Sequence, residues 1–458
     1  MDFTKLKKIY CIGIGGIGVS AVARWARHND IGISGSDLVE SELTRTLVAE
    51  GIPIIIGHAP ENVPDDADLV VYTPAVGKDH VERRAAKKKG VKQVSYPEFL
   101  GLLSEKKFTI AVTGTHGKST TTALIGLMLQ EAGFDPTVFV GSLVPQLEHG
   151  NVRVGHSNFL VVEACEHQGN MRHIKPNIAV VTYIEPDHLD FYKDLAHEIK
   201  VYQEFVDELP KDGVLVTSAD DLGCRALTWK GKKYTFGKTA EANVYYSGYR
   251  SERGFAVADM HTTGFTQEIK IGVPGEFNVR NVLAAGIAAS QVNVPGSVQG
   301  RVAEQFRGIW RRFEKVGEYG GATIYSDYGH HPTAIRETMA MVHELYPKRR
   351  VMLAFQPHQH NRTKNLFNEF VGAFSIAPID MLMLNEIYDV AGREEERDQN
   401  VTSEKLAEKI RERAKFPVHY TADLHEAEAW TRANIKKNDV VVIMGAGDID
   451  IVARNLTK

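Results

Sequence analysis

The chain has 458 residues, 54 of them Lys or Arg and 58 Asp or Glu, for a net charge of −4, with 43% hydrophobic and 24% charged residues. Such a balance fits an ordinary globular protein of about three domains, and it gives no whole-chain electrostatic case for nucleic acid or an anionic membrane surface. The three cysteines, Cys11, Cys165 and Cys224, include no CxxC pair, which argues against a metal-thiolate or disulfide framework and predicts a reducing, cytoplasmic setting. No apolar run reaches the ~18 residues of a transmembrane helix.

In chain order, residues 8–14 form a buried-strand pattern, followed by a glycine turn and a helix from Ser20 to Arg27. ISGSD, IPIIIG and LVVYTP then alternate with charged, helix-compatible stretches, among them VERRAAKKKGVKQ, read as a solvated helix face. Strands alternating with helices imply a parallel sheet with crossover helices, and this first unit closes near residue 105. Gly13, Gly15 and Gly18 fit G-x-G-x-x-G between strand and helix, where backbone amides and a helix N-terminus approach a pyrophosphate. Asp37 follows about 20 residues later, where a ribose-binding acid is expected. The loop suits NAD, the pyrophosphate and ribose of a UDP-sugar, or glycines needed only for tight packing, and it does not choose among them.

The second unit, residues 106–314, opens with KFTIAVTGTHGKSTTTALIGLMLQEAG, a strand, a glycine turn and a long helix. Its loop runs Gly114, Thr115, His116, Gly117, Lys118, Ser119, Thr120, shorter than the strict Walker pattern because Val112 stands where the first glycine would be. The chemistry still follows: amides cradle phosphates, Lys118 reaches the outer phosphate oxygens, and Ser119 ligates Mg²⁺. NFLVVEA, NIAVVTYI and GVLVTS read as strands. Glu163, ending the first of these, and His188, following the second, fall on the same sheet edge, and with Lys118 and Ser119 they form a metal–phosphate site. Residues 232–274 read as a small antiparallel insert, NVRNVLAAGIAASQV as a helix, and the unit ends in the basic group WRRF. The third unit, residues 315–458, shows four strands, ATIYSDYG, RRVMLAFQP, IDMLMLNEIY and DVVVIMGAG, separated by helical patterns.

Taken together, GIGGIGVSAVA, SGSD, GTHGKSTTT, EACE, PDHLD, GEFNVRNVLAA, RRFE, SDYGHHPTAI, FQPHQHNRT and MGAGDI run nearly end to end and resemble the Mur ligases, the ATP-dependent amide-bond enzymes that build the peptidoglycan stem peptide. The resemblance implies an α/β, three-domain architecture: a Rossmann-like N-terminal domain (1–105), a central P-loop ATPase-like domain (106–314) and a Rossmann-like C-terminal domain (315–458). It implies an enzyme that joins L-alanine to the lactyl carboxylate of UDP-N-acetylmuramate through an acyl phosphate, as a monomer or homodimer using ATP and Mg²⁺. A relative that attaches a whole tripeptide to the same sugar nucleotide shares most of these motifs and is the alternative; an NAD-dependent oxidoreductase is the distant one.

By the resemblance, Gly13, Gly15, Gly16, Gly18, Ser36, Asp37, His58 and Thr73 bind the UDP-sugar. ATP falls to residues 114–120 with Asn278, Asn281, Arg312, Asp327 and His331, and the metal to Ser119, Glu163 and His188. Lys118, Glu163 and His188 are the catalytic set, and Tyr328, His330 and Arg362 take the amino acid. The chain departs from the family pattern at Cys165, at Phe277 (usually His), at Ser326 (usually an acid) and at Gln359 (usually Arg).

Overall fold

A computed structural model describes residues 1–189, 191–389 and 400–458. It contains three sheets in series. The first is all parallel, built from β1 (Lys8–Ile12), β2 (Gly32–Asp37), β3 (Ile54–Ile56), β4 (Leu69–Tyr72) and β5 (Lys92–Ser95) in the order β3-β2-β1-β4-β5. Strand order reverses about β1, so a crevice forms beyond its C-terminal end, where the glycine loop lies.

The second sheet has ten strands: β6 (Phe108–Thr113), β7 (Thr137–Phe139), β8 (Val152–Arg153), β9 (Phe159–Glu163), β10 (Ile178–Val181), β11 (Val214–Ser218), β12 (Lys232–Gly237), β13 (Val244–Glu252), β14 (Phe255–Thr262) and β15 (Phe265–Ile271). Here β6 lies between β9 and β10, parallel to both, so their C-terminal ends carry the phosphate loop, Glu163 and the 182–188 segment to one edge. The third sheet runs β16-β17-β21-β18-β19-β20, from β16 (Glu314–Tyr319), β17 (Ala322–Asp327), β18 (Val351–Phe355), β19 (Met381–Asn385), β20 (Val418–Thr421) and β21 (Val440–Met444). Only β16, a hairpin partner of β17, is antiparallel in it.

Three expectations change. Residues 232–274 are no separate insert: β12 pairs parallel with β11, β13 pairs parallel with β12 over Phe236–Val244 and Gly237–Tyr245, and only β13–β15 are antiparallel, so the segment extends the central sheet. VERRAAKKKGVKQ splits into the helix Val81–Lys88 and the edge strand β5. The third sheet has six strands, because β16 (EKVGEY) and β20 (VHYT) lie at its two edges and lack the long apolar run of a buried strand.

One hydrophobic cluster is continuous from the first unit (Ile9, Trp25, Phe99) into the central one (Phe139, Met171, Phe205), which fixes the first unit on the second. Arg24, buried and paired with Glu50 at 2.7 Å, reinforces that joint by donating to the His149 carbonyl (2.9 Å) and Asn151 Oδ1 (2.7 Å). Among the described residues, no helix is long and apolar enough to cross a membrane.

Candidate active site

A cleft of about 1910 Å³ is lined by all three units. Gly15 and Gly16 face it from the first, His116, Gly117, Ser119 and Thr120 from the phosphate loop, and Asn278, Asn281, Arg312, Asp327 and Tyr328 from the segments that follow.

Close packing dictates most of the first glycine loop. A Cβ on Gly13, whose φ is +74°, would stand 2.5 Å from Thr73 Cγ2; one on Gly15 would stand 2.7 Å from Thr44 Cγ2, and one on Gly18 2.6 Å from the Tyr96 ring. Gly16, which precedes the helix Ile17–His28, meets nothing closer than the Gly13 carbonyl at 3.4 Å. Asp37 does not point at open space: its Oδ2 accepts the Gly15 amide at 2.8 Å. Ser36 is fully enclosed, donating to Glu82 Oε2 (2.6 Å) and standing 3.1 Å from His58 Nδ1. Of the eight residues the resemblance assigns to the sugar nucleotide, only Gly15 and Gly16 line the cleft.

The central loop is tighter. Gly114 and Gly117 have φ of +133° and +81°, and a Cβ would fall 2.2 Å from Thr182 Oγ1 and 2.3 Å from Asn281 Oδ1 respectively. Asn281 thus buttresses the loop; its Nδ2 donates to Asn278 Oδ1 at 3.2 Å, and Asn278 donates in turn to the Pro274 carbonyl at 2.7 Å. Lys118 lies back across its own loop, donating to the Gly114 carbonyl (2.6 Å) and to Glu166 Oε1 (2.9 Å). Burial opposes the lysine's charge, but Glu166, Cys165 and Glu163 outweigh burial and raise its pKa. Glu166 answers in kind: burial pushes it up, yet Lys118 and His188 prevail and bring it down to about 2.

Glu163 accepts the Gly141 amide at 2.8 Å through Oε2. His188 has a φ of +50°, its Nε2 stands 3.6 Å from Glu166, and its Nδ1 is buried without a hydrogen-bond partner. Ser119 is buried in the first turn of the helix Lys118–Glu131 and lines the cleft. A hydroxyl, a carboxylate oxygen and an imidazole nitrogen are donor types that a hard divalent cation can use.

Two carboxylates tie the third unit to this edge. Glu185 contacts His116 Nε2, stands 3.0 Å from His331 Nδ1 and accepts Thr333 Oγ1 at 2.9 Å. Burial raises its pKa, but the two imidazoles hold it well below the usual carboxylate range. Asp187 is buried and accepts Arg362 Nε at 2.8 Å, while Arg362 Nη1 donates to the His358 carbonyl at 3.0 Å. Arg362 therefore pairs with a buried acid of the central unit.

His330 Nδ1 meets the Tyr328 carbonyl at 2.9 Å, and burial together with the Arg362 charge holds its pKa well below the usual value, against Asp187. Tyr328 lies under two guanidinium groups, Arg311 and Arg312, at 5.0 and 5.2 Å. Asp327, raised by burial against Arg312, accepts the Phe313 and Gly329 amides. Sequence reasoning missed Glu166, Glu185, Asp187 and Arg311; the available signal was their place within three residues of Glu163, His188 and Arg312 at strand ends.

Residues 8–108, 112–289 and 311–447 match, in turn, the descriptions "Mur ligase family, catalytic domain", "Mur ligase middle domain" and "Mur ligase, glutamate ligase domain". The chain belongs to the Mur ligase family. UDP-N-acetylmuramate–L-alanine ligase of Salinibacter ruber is 37% identical to this Mur ligase over 449 residues, covering 97% of this chain and 93% of the other. The crystal structure of the UDP-N-acetylmuramate–alanine ligase of Thermotoga maritima superposes with a TM-score of 0.83 at 29% identity, covering 98% of each chain. A murein peptide ligase from Psychrobacter arcticus gives 0.72 at 20% identity, again over 98% of each, a likeness of fold.

In this Mur ligase the departures from the family pattern stand at informative places. Phe277 lines the cleft. Gln359 has a φ of +70° and is buried with no partner for Nε2.

Proposed function

We propose that this Mur ligase joins L-alanine to the lactyl carboxylate of UDP-N-acetylmuramate with cleavage of ATP, in the cytoplasm, as a monomer or homodimer. The observation that carries the reading is one cleft lined by two separate glycine loops, in a chain related end to end to enzymes named for that reaction. Two loops suit two nucleotides: the first takes the sugar nucleotide rather than NAD, and the central one takes the triphosphate.

ATP would lie over residues 114–120, with its phosphates at the N-terminus of the helix Lys118–Glu131 and its base toward Asn278 and Asn281. Lys118 must then exchange the Gly114 carbonyl for phosphate oxygens, keeping its charge because Glu166 sustains it. Ser119, Glu163 and His188 would hold Mg²⁺, which neutralises charge on the transferring phosphoryl group. The lactyl carboxylate attacks the γ-phosphorus, giving an acyl phosphate and ADP; the alanine amine attacks that carbonyl, and phosphate leaves from a tetrahedral intermediate. Asp327 and His331 approach from the third unit and Arg312 from the end of the second, and the Glu185 contacts to His116 and His331 hold the third unit against the loop.

Tyr328, the remaining Nη2 of Arg362 and the orphaned amide of Gln359 are the groups available for the alanine carboxylate. His330 is held neutral, which suits it to accept a hydrogen bond from the amine and ill suits it to keep the amine's proton. Phosphate release measured with ATP, UDP-N-acetylmuramate and either L-alanine or L-Ala-γ-D-Glu-diaminopimelate tests the proposal. Release that depends on L-alanine and on the sugar nucleotide is expected; faster release with the tripeptide would move the chain to the peptide-attaching relatives.

A further inference from the structure

The hydrogen-bonded cluster beneath the first glycine loop contains a residue that hydrogen bonding does not account for. Glu82 is fully buried on the first turn of the helix Val81–Lys88. Its Oε2 accepts Ser36 Oγ at 2.6 Å, and its Oε1 accepts Asn62 Nδ2 at 2.7 Å and Tyr10 Oη at 3.2 Å. Those donors fix the carboxylate's orientation, but they carry no charge, and the one ion-pair partner of Glu82 among the described residues is His58 Nδ1 at 3.3 Å. A buried carboxylate without a committed cation is costly. His80 adds a second anomaly: its Nδ1 is buried and makes no hydrogen bond, while its ring stands edge-on to His58 with centroids 4.5 Å apart.

We propose that His58, His80 and Glu82 form a site for one divalent transition-metal ion of the zinc class. One donor atom from each lies within 4.8 Å of the other two. Two ligands held at about 2.0–2.1 Å around a tetrahedral zinc stand about 3.4 Å apart, close to the 3.3 Å between His58 Nδ1 and Glu82 Oε2. Two imidazoles and a carboxylate favour zinc, cobalt or nickel over magnesium, which prefers an all-oxygen shell. The ion would supply the missing positive charge beside Glu82 and the missing partner of His80 Nδ1. Ser36, Asn62 and Tyr10 would orient the ligating carboxylate from behind. Binding requires His58 to carry its proton on Nε2, freeing Nδ1, and both imidazoles are only partly buried, which leaves access for the ion and a water. This site is separate from the one assigned to Mg²⁺; its His58 and Ser36, which the resemblance gives to the sugar nucleotide, do not line the cleft.

Cobalt(II) serves as the probe, titrated into the full-length protein carrying His331→Ala, so that the second imidazole–carboxylate triad, His116–Glu185–His331, cannot contribute. A visible d–d absorption band that saturates at a single equivalent and is displaced by zinc is expected. Adding His80→Asn should weaken cobalt binding about a hundredfold or more, since removing a ligand costs at least as much as removing its supporting partner. Because Nδ1 of the His80 ring makes no hydrogen bond, that variant should keep the parent circular dichroism spectrum, and zinc should raise the thermal midpoint only where His80 is present. A band that His80→Asn leaves unchanged, or no band in the His331→Ala protein, would overturn the proposal.

Discussion

The two glycine loops look alike in sequence and are supported in opposite ways. Under the first, the fully buried Glu82 accepts hydrogen bonds from Ser36, Asn62 and Tyr10, and the loop amide of Gly15 is held by Asp37. Beside the second, the fully buried Glu198 has neither carboxylate oxygen hydrogen-bonded, and burial, with Asp187 next, pushes its pKa up to about 9. Around Glu198 stand Glu166, Glu185 and Asp187, each forced to remain charged by a lysine, histidine or arginine. The first region binds its carboxylates with hydrogen bonds from neutral donors. The second concentrates charge beside the phosphate loop, and it leaves one carboxyl group neutral.

The largest effect that would separate the two regions comes from Lys118→Ala. With one ammonium lost from the phosphate cradle, phosphate release should fall on the order of a thousandfold or more while the fold persists; near-normal turnover at saturating ATP would remove Lys118 from the chemistry.

Next in size is Glu198→Gln. The Glu198 pKa is raised from 4.5 to about 9, so folding takes up a proton between those values. The group's contribution to stability is complete below about pH 4.5 and is lost as pH rises toward 9, by on the order of 3 kcal/mol at pH 7. Thermal melts of Glu198→Gln should gain on the parent steadily from about pH 5 to pH 8, and a pH-independent gap would contradict the charge argument. Glu166, lowered to about 2, works with the opposite sign: its contribution is present above about pH 4.5 and is lost as pH falls through 2.

A third contrast sets Gly117→Ala against Gly16→Ala. The first forces a Cβ into Asn281 Oδ1 at a φ of +81°, so about 1–3 kcal/mol of strain should raise the KM for ATP roughly tenfold to a hundredfold. The second meets only the Gly13 carbonyl at 3.4 Å and should change stability by less than about 0.5 kcal/mol. Equal effects would erase the distinction between the loops.

The smallest expected effect belongs to Asp37→Asn, which keeps an acceptor for the Gly15 amide and removes a negative charge beside the loop. The KM for UDP-N-acetylmuramate should stay within about threefold of the parent, whereas Asp37→Ala should raise it about tenfold through the lost hydrogen bond. An equally large rise with Asp37→Asn would mean that the carboxylate touches the ligand.

Periodicity disclosed the strongly apolar strands β1, β6, β9, β10 and β21, each buried along most of its length, but it missed β16 and β20 at the edges of the third sheet, whose short charged and polar sequences carry no apolar run. It also took residues 232–274, β12–β15, for an antiparallel insert, although β12 pairs parallel with β11 and β13 with β12. Within the candidate site, loop spacing put Lys118 and Ser119 together and strand ends put Glu163 and His188 on the same sheet edge, where β6, β9 and β10 end side by side. Glu185 and Asp187 were not legible, because their roles depend on His331 and Arg362, residues of another unit that only the folded chain brings near. Asp37 was legible as an acid at a ribose-binding distance in sequence, yet the fold turns it onto Gly15.

Amide hydrogen exchange of the two loops, followed separately with UDP-N-acetylmuramate, a non-hydrolysable ATP analogue and NAD, tests the assignment of two loops to two nucleotides most directly. The sugar nucleotide should slow exchange across residues 13–18, the ATP analogue across 114–120, and NAD across neither. Protection of 13–18 by NAD, or of 114–120 by the sugar nucleotide alone, would contradict it.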